Sequence, residues 1–149
     1  MMSDFIHIFL IRHGESKAQT EESLGYDTSL SDCGIAQAIK AGEYLKGFCP
    51  DYILTSPLQR AKQTLEYLGI SSRYGVEVEP KITEHGGISD DYPKERAKLV
   101  KERLIEMALE RKYQSVLLVS HAMFMNTLLA EFIGHSSNAY CRIGNARMG

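Results

Sequence analysis

The chain has 149 residues and a formal net charge of −2, and its 44% hydrophobic and 24% charged residues are ordinary values for a globular protein. We therefore predict that residues 1–149 form a single domain with its own core. The slight negative charge argues against a nucleic-acid binder, and no stretch approaches the ~18 apolar residues of a membrane span. The cysteines are odd in number, widely spaced and without a CxxC pair, and no basic segment precedes the first apolar run. We therefore expect a cytoplasmic protein with neither a zinc knuckle nor a disulfide framework.

Strands and helices are predicted to alternate along the chain. In chain order we predict a strand at 5–11, a helix at 31–48, a strand at 52–55, a helix from 56 to about 68, a weaker strand at 76–78, a helix at 93–112, a strand at 115–120, a helix from about 123 to 133, and a candidate edge strand that ends at Asn145. The apolar run SVLLVS at 115–120 is typical of a central, buried strand. This alternation predicts an α/β fold with a mostly parallel sheet.

Local patterns indicate which helix faces are buried and where one helix begins. The apolar face of the first helix is predicted to comprise Ile35, Ile39, Gly42 and Leu45. Ser56 is predicted to cap the second helix, with Pro57 at its first position and Gln59 completing a capping box. The mixed-charge run at 94–112 is interpreted as the solvated outer face of its helix.

Three predicted strands lead into polar residues of the same chemical type. The first strand ends at Arg12 and His13, the second leads on to Arg60, and the long apolar strand ends at His121. Ligands of open α/β sheets bind outside the carboxyl ends of the strands, so we expect these side chains to meet there. Guanidinium groups, imidazoles and the N-termini of the following helices together suit a phosphoryl group.

Five ordered motifs resemble those of one enzyme family. They are Arg12-His13-Gly14-Glu15-Ser16, Leu30-Ser31-x-x-Gly34-x-x-Gln37-Ala38, Ser56-Pro57-Leu58-x-Arg60-Ala61-x-Gln63-Thr64, Ile82-x-Glu84 followed by Gly86-Gly87, and Val119-Ser120-His121. The set is similar to the RHG signature and later motifs of the histidine phosphatase (phosphoglycerate mutase-like) superfamily. It spans nearly the whole chain, which makes it far more specific than an isolated RHG. The resemblance implies a three-layer α/β/α sandwich.

The resemblance also implies roles for the matched residues. His13 would be the nucleophile that forms a phosphohistidine, while Arg12, Arg60 and His121 would hold the phosphoryl oxygens. Glu84 would protonate the leaving oxygen and then activate water.

Three further polar residues are candidates near the phosphate. Glu15 is the rival acid beside the nucleophile, although we favour Glu84 and expect Glu15 to hold loop backbone or an arginine. Ser16 can donate its hydroxyl to phosphate, and Gln19 stands where many members of the family carry Asn. No metal or other cofactor is expected.

The stretch between Arg60 and His121 has room for one strand, the acid-bearing loop and one helix. Many relatives carry a longer helical insertion there that covers the substrate, so we expect no large lid and an open site. The predicted function is a metal-independent phosphatase for a phosphorylated small molecule or a phosphoprotein, as in the short phosphohistidine phosphatases of this family. The alternatives are phosphoglycerate mutase-type phosphoryl transfer, a metallohydrolase, and a non-catalytic phosphate-binding module.

Overall fold

The computed structural model describes residues 6–17, 26–85 and 92–133, together with the backbone of residues 142–145. Within these residues, five strands form one sheet in the order β3-β2-β4-β1-β5, and every neighbouring pair is parallel. The strands are β1 (His7–Arg12), β2 (Tyr52–Thr55), β3 (Val76–Val78), β4 (Ser115–Ser120) and β5 (Arg142–Asn145). The predicted parallel sheet is confirmed, and the chain's last described strand is the expected edge strand.

Helices connect these strands over both faces of the sheet. In the described residues they are α1 (Asp32–Tyr44), α2 (Gln59–Leu68), α3 (Pro93–Glu110) and α4 (Ala122–Ile133), and a 3-10 turn at Pro80–Ile82 follows β3. The chain crosses the sheet in one direction from β1 to β3 and returns in the other from β3 to β5. Because such crossovers are right-handed, α1 and α2 lie on one face and α3 and α4 on the other. The three-layer α/β/α sandwich is therefore confirmed.

The hydrophobic core occupies both faces of the sheet. On one face, Leu104 of α3 and Phe124 of α4 pack in a cluster with Leu118 of β4. On the other face, Ala61 of α2 packs in a cluster with Leu117 of β4. Adjacent residues of β4 therefore face opposite helical layers, which explains why this strand is an unbroken run of valine and leucine rather than an alternating pattern.

The carboxyl ends of β1, β4 and β2 lie level with one another. Arg12 is paired with Ser120 across β1 and β4. The backbone N–H of His13 continues this ladder to Ser120 O at 3.1 Å, and the N–H of Ser56 donates to Val119 O at 3.0 Å. The helices that follow β1 and β4 lie on opposite faces of the sheet, which is the arrangement at which open α/β sheets bind their ligands.

The predicted buried face of α1 is wrong at Ile39, which is 45% exposed. The side of α1 that is buried carries Gly34, Ala38 and Ala41 instead. A Cβ on Gly42 would overlap the backbone of α2, so the two helices lie very close together. Close packing requires small residues on the inner face, so the spacing of the larger apolar residues predicted that face only in part.

The predicted start of α2 is also wrong. This helix begins at Gln59, and its N-cap residue Leu58 provides no side-chain cap. Asp27, from the loop before α1, accepts the Gln59 N–H at 2.8 Å through Oδ1. The Ser56 hydroxyl accepts the Leu58 N–H at 3.3 Å, ahead of the helix. The expected capping box does not form, because a carboxylate distant in sequence supplies the cap.

The region between β3 and β4 matches the prediction that a large lid is absent. Its described elements are the 3-10 turn and α3.

Within the described ranges, no helix is both long enough and apolar enough to cross a membrane.

Candidate active site

His13 follows β1 directly and is only 7% exposed. Its Nδ1 lies 2.5 Å from the carbonyl oxygen of Gly14. A carbonyl oxygen can only accept, so Nδ1 carries the proton. The Nε–H of Arg60 donates to His13 Nε2 at 3.3 Å, which requires a lone pair on Nε2. These two contacts fix a neutral imidazole in which Nε2 carries the lone pair.

Gly14 allows the loop after His13 to lie directly against α1. A Cβ at this position would approach Gly34 O to 2.6 Å, a distance that real Cβ atoms do not adopt. The Gly14 N–H donates to Thr64 Oγ1 at 3.0 Å, and Thr64 donates to Arg60 O at 2.7 Å. The first turns of α2 therefore hold the loop through Thr64 and the imidazole through Arg60.

Arg60 is a buried guanidinium with defined partners. Its Nη1 donates to Tyr26 O, and its guanidinium carbon lies 5.5 Å from the centroid of the Tyr26 ring. Burial lowers the pKa of Arg60, whereas Tyr26, Glu84 and Asp27 act in the opposite direction. Arginine remains protonated in such a setting. The side chain of Arg12, which is partly exposed, makes no hydrogen bond or ion pair with the described residues, so its guanidinium is available to an anion.

His121 follows β4 and is completely buried. Its ring centroid lies 5.0 Å from that of His13, and its Nε2 lies 2.8 Å from Ser56 Oγ. Its Nδ1 is buried and has no hydrogen-bond partner among the residues that the structure describes. Buried polar atoms are nearly always paired. This exception next to His13 distinguishes His121 from a satisfied histidine of the core.

Both histidines are neutral at pH 7. Burial lowers the pKa of His13 from 6.5 to about 4, the Gly14 carbonyl opposes this shift, and Arg60 and Arg12 add to it. Burial likewise lowers the pKa of His121 to about 2, with further contributions from His13 and three nearby arginines. The low pKa of His13 therefore keeps the lone pair on its Nε2 across physiological pH.

The free energy of unfolding is expected to fall as the pH is lowered from about 6.5 to 4. In this window the unfolded chain protonates His13 and His121 at their ordinary pKa, while the folded protein does not bind these protons. The shift of His13 alone corresponds to about 3 kcal/mol. Urea midpoints measured through this window should fall less in His13→Gln than in wild type, and equal losses would contradict the low pKa.

Glu84 lies between the 3-10 turn and the start of α4. Its Oε1 accepts the Phe124 N–H at 3.1 Å and the His85 N–H at 3.0 Å. Phe124 belongs to the first turn of α4, where N–H groups have no partner within the helix. Among the described residues, nothing donates to Oε2, which is therefore the oxygen able to carry a proton. Glu84 raises the pKa of Arg60, which contacts His13 Nε2, and its carboxylate is bound to the first turn of the helix that follows His121.

The backbone that carries Glu84 is fixed by side chains from other elements. Each carbonyl oxygen from residue 81 to 84 accepts a hydrogen bond from a side chain. The pairs are Arg96 with Lys81 at 2.7 Å and with Thr83 at 2.9 Å, Ser120 with Ile82 at 2.6 Å, and Tyr26 with Glu84 at 2.6 Å. These bonds satisfy a polar backbone that has little regular secondary structure of its own, and they hold the carboxylate in place.

Glu15 and Ser16 are the other predicted site residues that the structure describes. Glu15 is bound to the start of α1, where its Oε1 accepts from Ser31 Oγ at 2.8 Å. Ser16 is 2% exposed and forms an isolated β-bridge with Leu30. Three residues named in the sequence analysis lie outside the described residues: Gln19, Gly86 and Gly87.

Sequence reasoning missed Tyr26 and Arg96 as supports of the site. Arg96 belongs to the run predicted to be a solvated helix face, yet it lies over the Phe124 ring at 4.9 Å from the centroid. Arg103 of the same run binds Glu77 at 2.7 Å. The prediction for this run is therefore wrong at both arginines. The one available signal was that Arg96 adjoins a residue of the buried face, Ala97.

The fold and the cluster of two histidines and two arginines define a class of α/β protein with a basic, histidine-containing site at the carboxyl edge of a parallel sheet. The family model of the histidine phosphatase superfamily (branch 1) matches residues 8–104, and this match includes the positions of His13, Arg60 and Glu84. The chain belongs to the histidine phosphatase superfamily, as its ordered motifs predicted.

Individual relatives share different parts of the chain. Fructose-2,6-bisphosphatase TIGAR B of Danio rerio is 40% identical over 97 residues, which are 60% of this chain but only 38% of that protein's length. A proposed alpha-ribazole-5′-P phosphatase from Escherichia coli K-12 MG1655 aligns with a TM-score of 0.72 at 24% identity, over 90% of this chain and 83% of its own. The protein histidine phosphatase SixA, solved with tungstate, aligns with a TM-score of 0.66 at 26% identity, over 90% and 81%.

Proposed function

We propose that this protein is a metal-independent phosphatase that hydrolyses a phosphomonoester or phosphoprotein through a covalent phosphohistidine on His13. The observation that carries this proposal is the tautomer of His13: Nδ1 is bound to Gly14 O, and the Nε2 lone pair is left for attack. Arg60 lies 3.3 Å from that nitrogen, where its guanidinium can hold the incoming phosphoryl group. Membership of the histidine phosphatase superfamily supports the same reaction class.

In the first step, Nε2 of His13 forms a bond to phosphorus and the bond to the leaving oxygen breaks. The two arginines and His121 stabilise the negative charge on the phosphoryl oxygens. The attack makes the His13 ring cationic, and its Nδ1–H bond to Gly14 O stabilises that charge. Glu84, protonated on Oε2, gives its proton to the leaving oxygen.

In the second step, water attacks the phosphorus of the phosphohistidine. Glu84, now ionised, accepts a proton from that water, and the bond between phosphorus and Nε2 breaks. His13 returns to its neutral form and inorganic phosphate leaves. Each charge that develops has a partner among the protein's own side chains and backbone groups, so the proposed steps require no metal ion.

The substrate class follows from what can reach the carboxyl edge of the sheet. A site without a large insertion between β3 and β4 suits a bulky substrate such as a phosphorylated protein side chain. The likeness to SixA, a protein histidine phosphatase, supports this class, and the likeness to a fructose-2,6-bisphosphatase supports small phosphomonoesters. A substrate panel therefore includes both classes.

Glu84→Gln is expected to lower kcat/KM by about a hundredfold for alkyl phosphates, whose leaving oxygen requires a proton. The same change should cost less than about tenfold for p-nitrophenyl phosphate, because its leaving phenolate is stable without protonation. The measurement is kcat/KM across phosphates of rising leaving-group pKa, in buffer that contains EDTA.

Glu15→Gln is the matched control, since Glu15 is the rival carboxylate and its Oε1 is bound to Ser31. It should leave the dependence on the leaving group unchanged. A uniform loss across the series in Glu84→Gln, or a steeper dependence in Glu15→Gln, would contradict the assignment of the acid. Loss of wild-type activity in EDTA would contradict a metal-independent reaction.

A further inference from the structure

Ser56 and His121 form a buried pair whose role the proposed reaction does not yet include. Both residues are completely buried, and Ser56 Oγ lies 2.8 Å from His121 Nε2. Ser56 follows β2 and His121 follows β4, so their contact joins the ends of two adjacent strands. Either atom could donate, and the choice decides which nitrogen of His121 carries the proton.

The other contacts of Ser56 and His121 favour one of the two arrangements. Ser56 Oγ already accepts the Leu58 N–H, and the described residues offer the Ser56 proton no acceptor other than His121 Nε2. If Nε2 donated instead, both the Ser56 proton and the buried Nδ1 lone pair of His121 would lack partners. If Ser56 donates, the single unpaired group is Nδ1–H. Each unpaired buried polar group is destabilising, so donation by Ser56 is favoured.

We infer that Ser56 is a positioning residue whose hydroxyl donates a hydrogen bond to Nε2 and thereby fixes His121 as the Nδ1–H tautomer. This inference rests on the proposed function, in which His121 stabilises a phosphoryl oxygen. An anionic oxygen accepts from an N–H group and is repelled by a nitrogen lone pair. Removing the Ser56 hydroxyl would allow the proton to move to Nε2 and leave a lone pair on Nδ1.

The two histidines then have complementary functions set by unlike partners. His13 donates from Nδ1 to the Gly14 carbonyl, which keeps a lone pair on Nε2 for attack. His121 accepts at Nε2 from the Ser56 hydroxyl, which keeps a proton on Nδ1 for binding. The carbonyl partner thus makes one neutral histidine a nucleophile. The hydroxyl partner makes the other neutral histidine a hydrogen-bond donor.

Nitrogen-15 spectroscopy of histidine-labelled protein at pH 7 tests the tautomer directly, because protonated and lone-pair nitrogens of a neutral imidazole have well-separated shifts. The His121 signals are assigned by their loss in His121→Gln. Wild type should show a protonated Nδ1 and an unprotonated Nε2, and Ser56→Ala should move the proton toward Nε2. Thr55→Val removes a neighbouring buried hydroxyl that bonds to Ser56 O, and it should leave the tautomer unchanged.

A protonated Nε2 in the wild-type spectrum would overturn the inference, and so would an unchanged tautomer in Ser56→Ala. The wild-type spectrum decides even if Ser56→Ala does not fold. Orthovanadate gives a second readout: its affinity should fall about tenfold in Ser56→Ala and stay within about twofold of wild type in Thr55→Val. Equal vanadate affinity in wild type and Ser56→Ala would contradict the role of the tautomer in binding. Since the spectrum requires no turnover, a wild-type protein without phosphatase activity would count against the proposed function alone.

Discussion

Replacing His13 by alanine is expected to lower kcat/KM for p-nitrophenyl phosphate by about 10⁴-fold or more, because the proposed reaction loses its nucleophile. The described site offers no ready substitute. The Nε2 of His121 is already bound to Ser56, and the pocket around His13 is fixed by Arg60 and Thr64. Steady-state kinetics of the purified variant, with circular dichroism to verify its fold, provide the measurement.

His7→Ala is the matched control for this prediction, since His7 lies on β1, the strand that His13 follows, and has an exposed side chain. It should retain kcat/KM within about twofold of wild type, as expected for a surface substitution. A His13→Ala variant that kept a tenth or more of wild-type turnover would show that another group forms the bond to phosphorus.

Arg60→Met is expected to lower kcat/KM by about 10²- to 10³-fold, the usual cost of removing one donor that stabilises transition-state charge. The guanidinium is held by Tyr26 O and contacts His13 Nε2, so it is preorganised beside the nucleophile. Arg60→Lys should recover only part of this loss, because an ammonium cannot reproduce the planar fork of donors. Kinetics and orthovanadate affinity, measured on the same preparations, test whether binding and turnover fall together.

Lys62→Met provides the matched control, because Lys62 lies on the same helix with an exposed side chain. Its removal takes away an equal charge without touching the histidine cluster and should change kcat/KM by less than about twofold. If the two methionine variants lost the same activity, the effect of Arg60 would be one of net charge, and a specific role in holding the phosphoryl group would be excluded.

Much of this fold was predictable because its signals are local. β4 is a continuous apolar run, and the structure confirms it as the central strand with the same limits, Ser115–Ser120. The rule that ligands bind at the carboxyl ends of parallel strands placed His13 and His121 at one edge, and their ring centroids lie 5.0 Å apart. A residue at the end of a strand can be located from the apolar pattern of that strand alone.

The supports of the site were not predictable in this way, because their contacts join segments far apart in sequence. Tyr26 binds Glu84 O, and Arg96 binds the carbonyls of the same loop, although neither has a periodic signal that points there. The inner face of α1 was predicted only in part, for a related reason. Helix periodicity ranks residues by hydrophobicity, whereas the close approach of α1 to its neighbours selects Gly34, Ala38 and Ala41 for their small size.

Rapid-quench trapping of the phosphorylated enzyme tests the central claim of a phosphohistidine on His13 most directly. Wild-type protein is mixed with a ³²P-labelled aryl phosphate, quenched at millisecond intervals in base, and digested for peptide mapping. We expect label on the peptide that contains His13, stable in base and lost in acid as a phosphoramidate is, and formed as fast as the phenol is released. Turnover with no label on that peptide at any quench time, or label on a peptide that lacks His13, would contradict the mechanism.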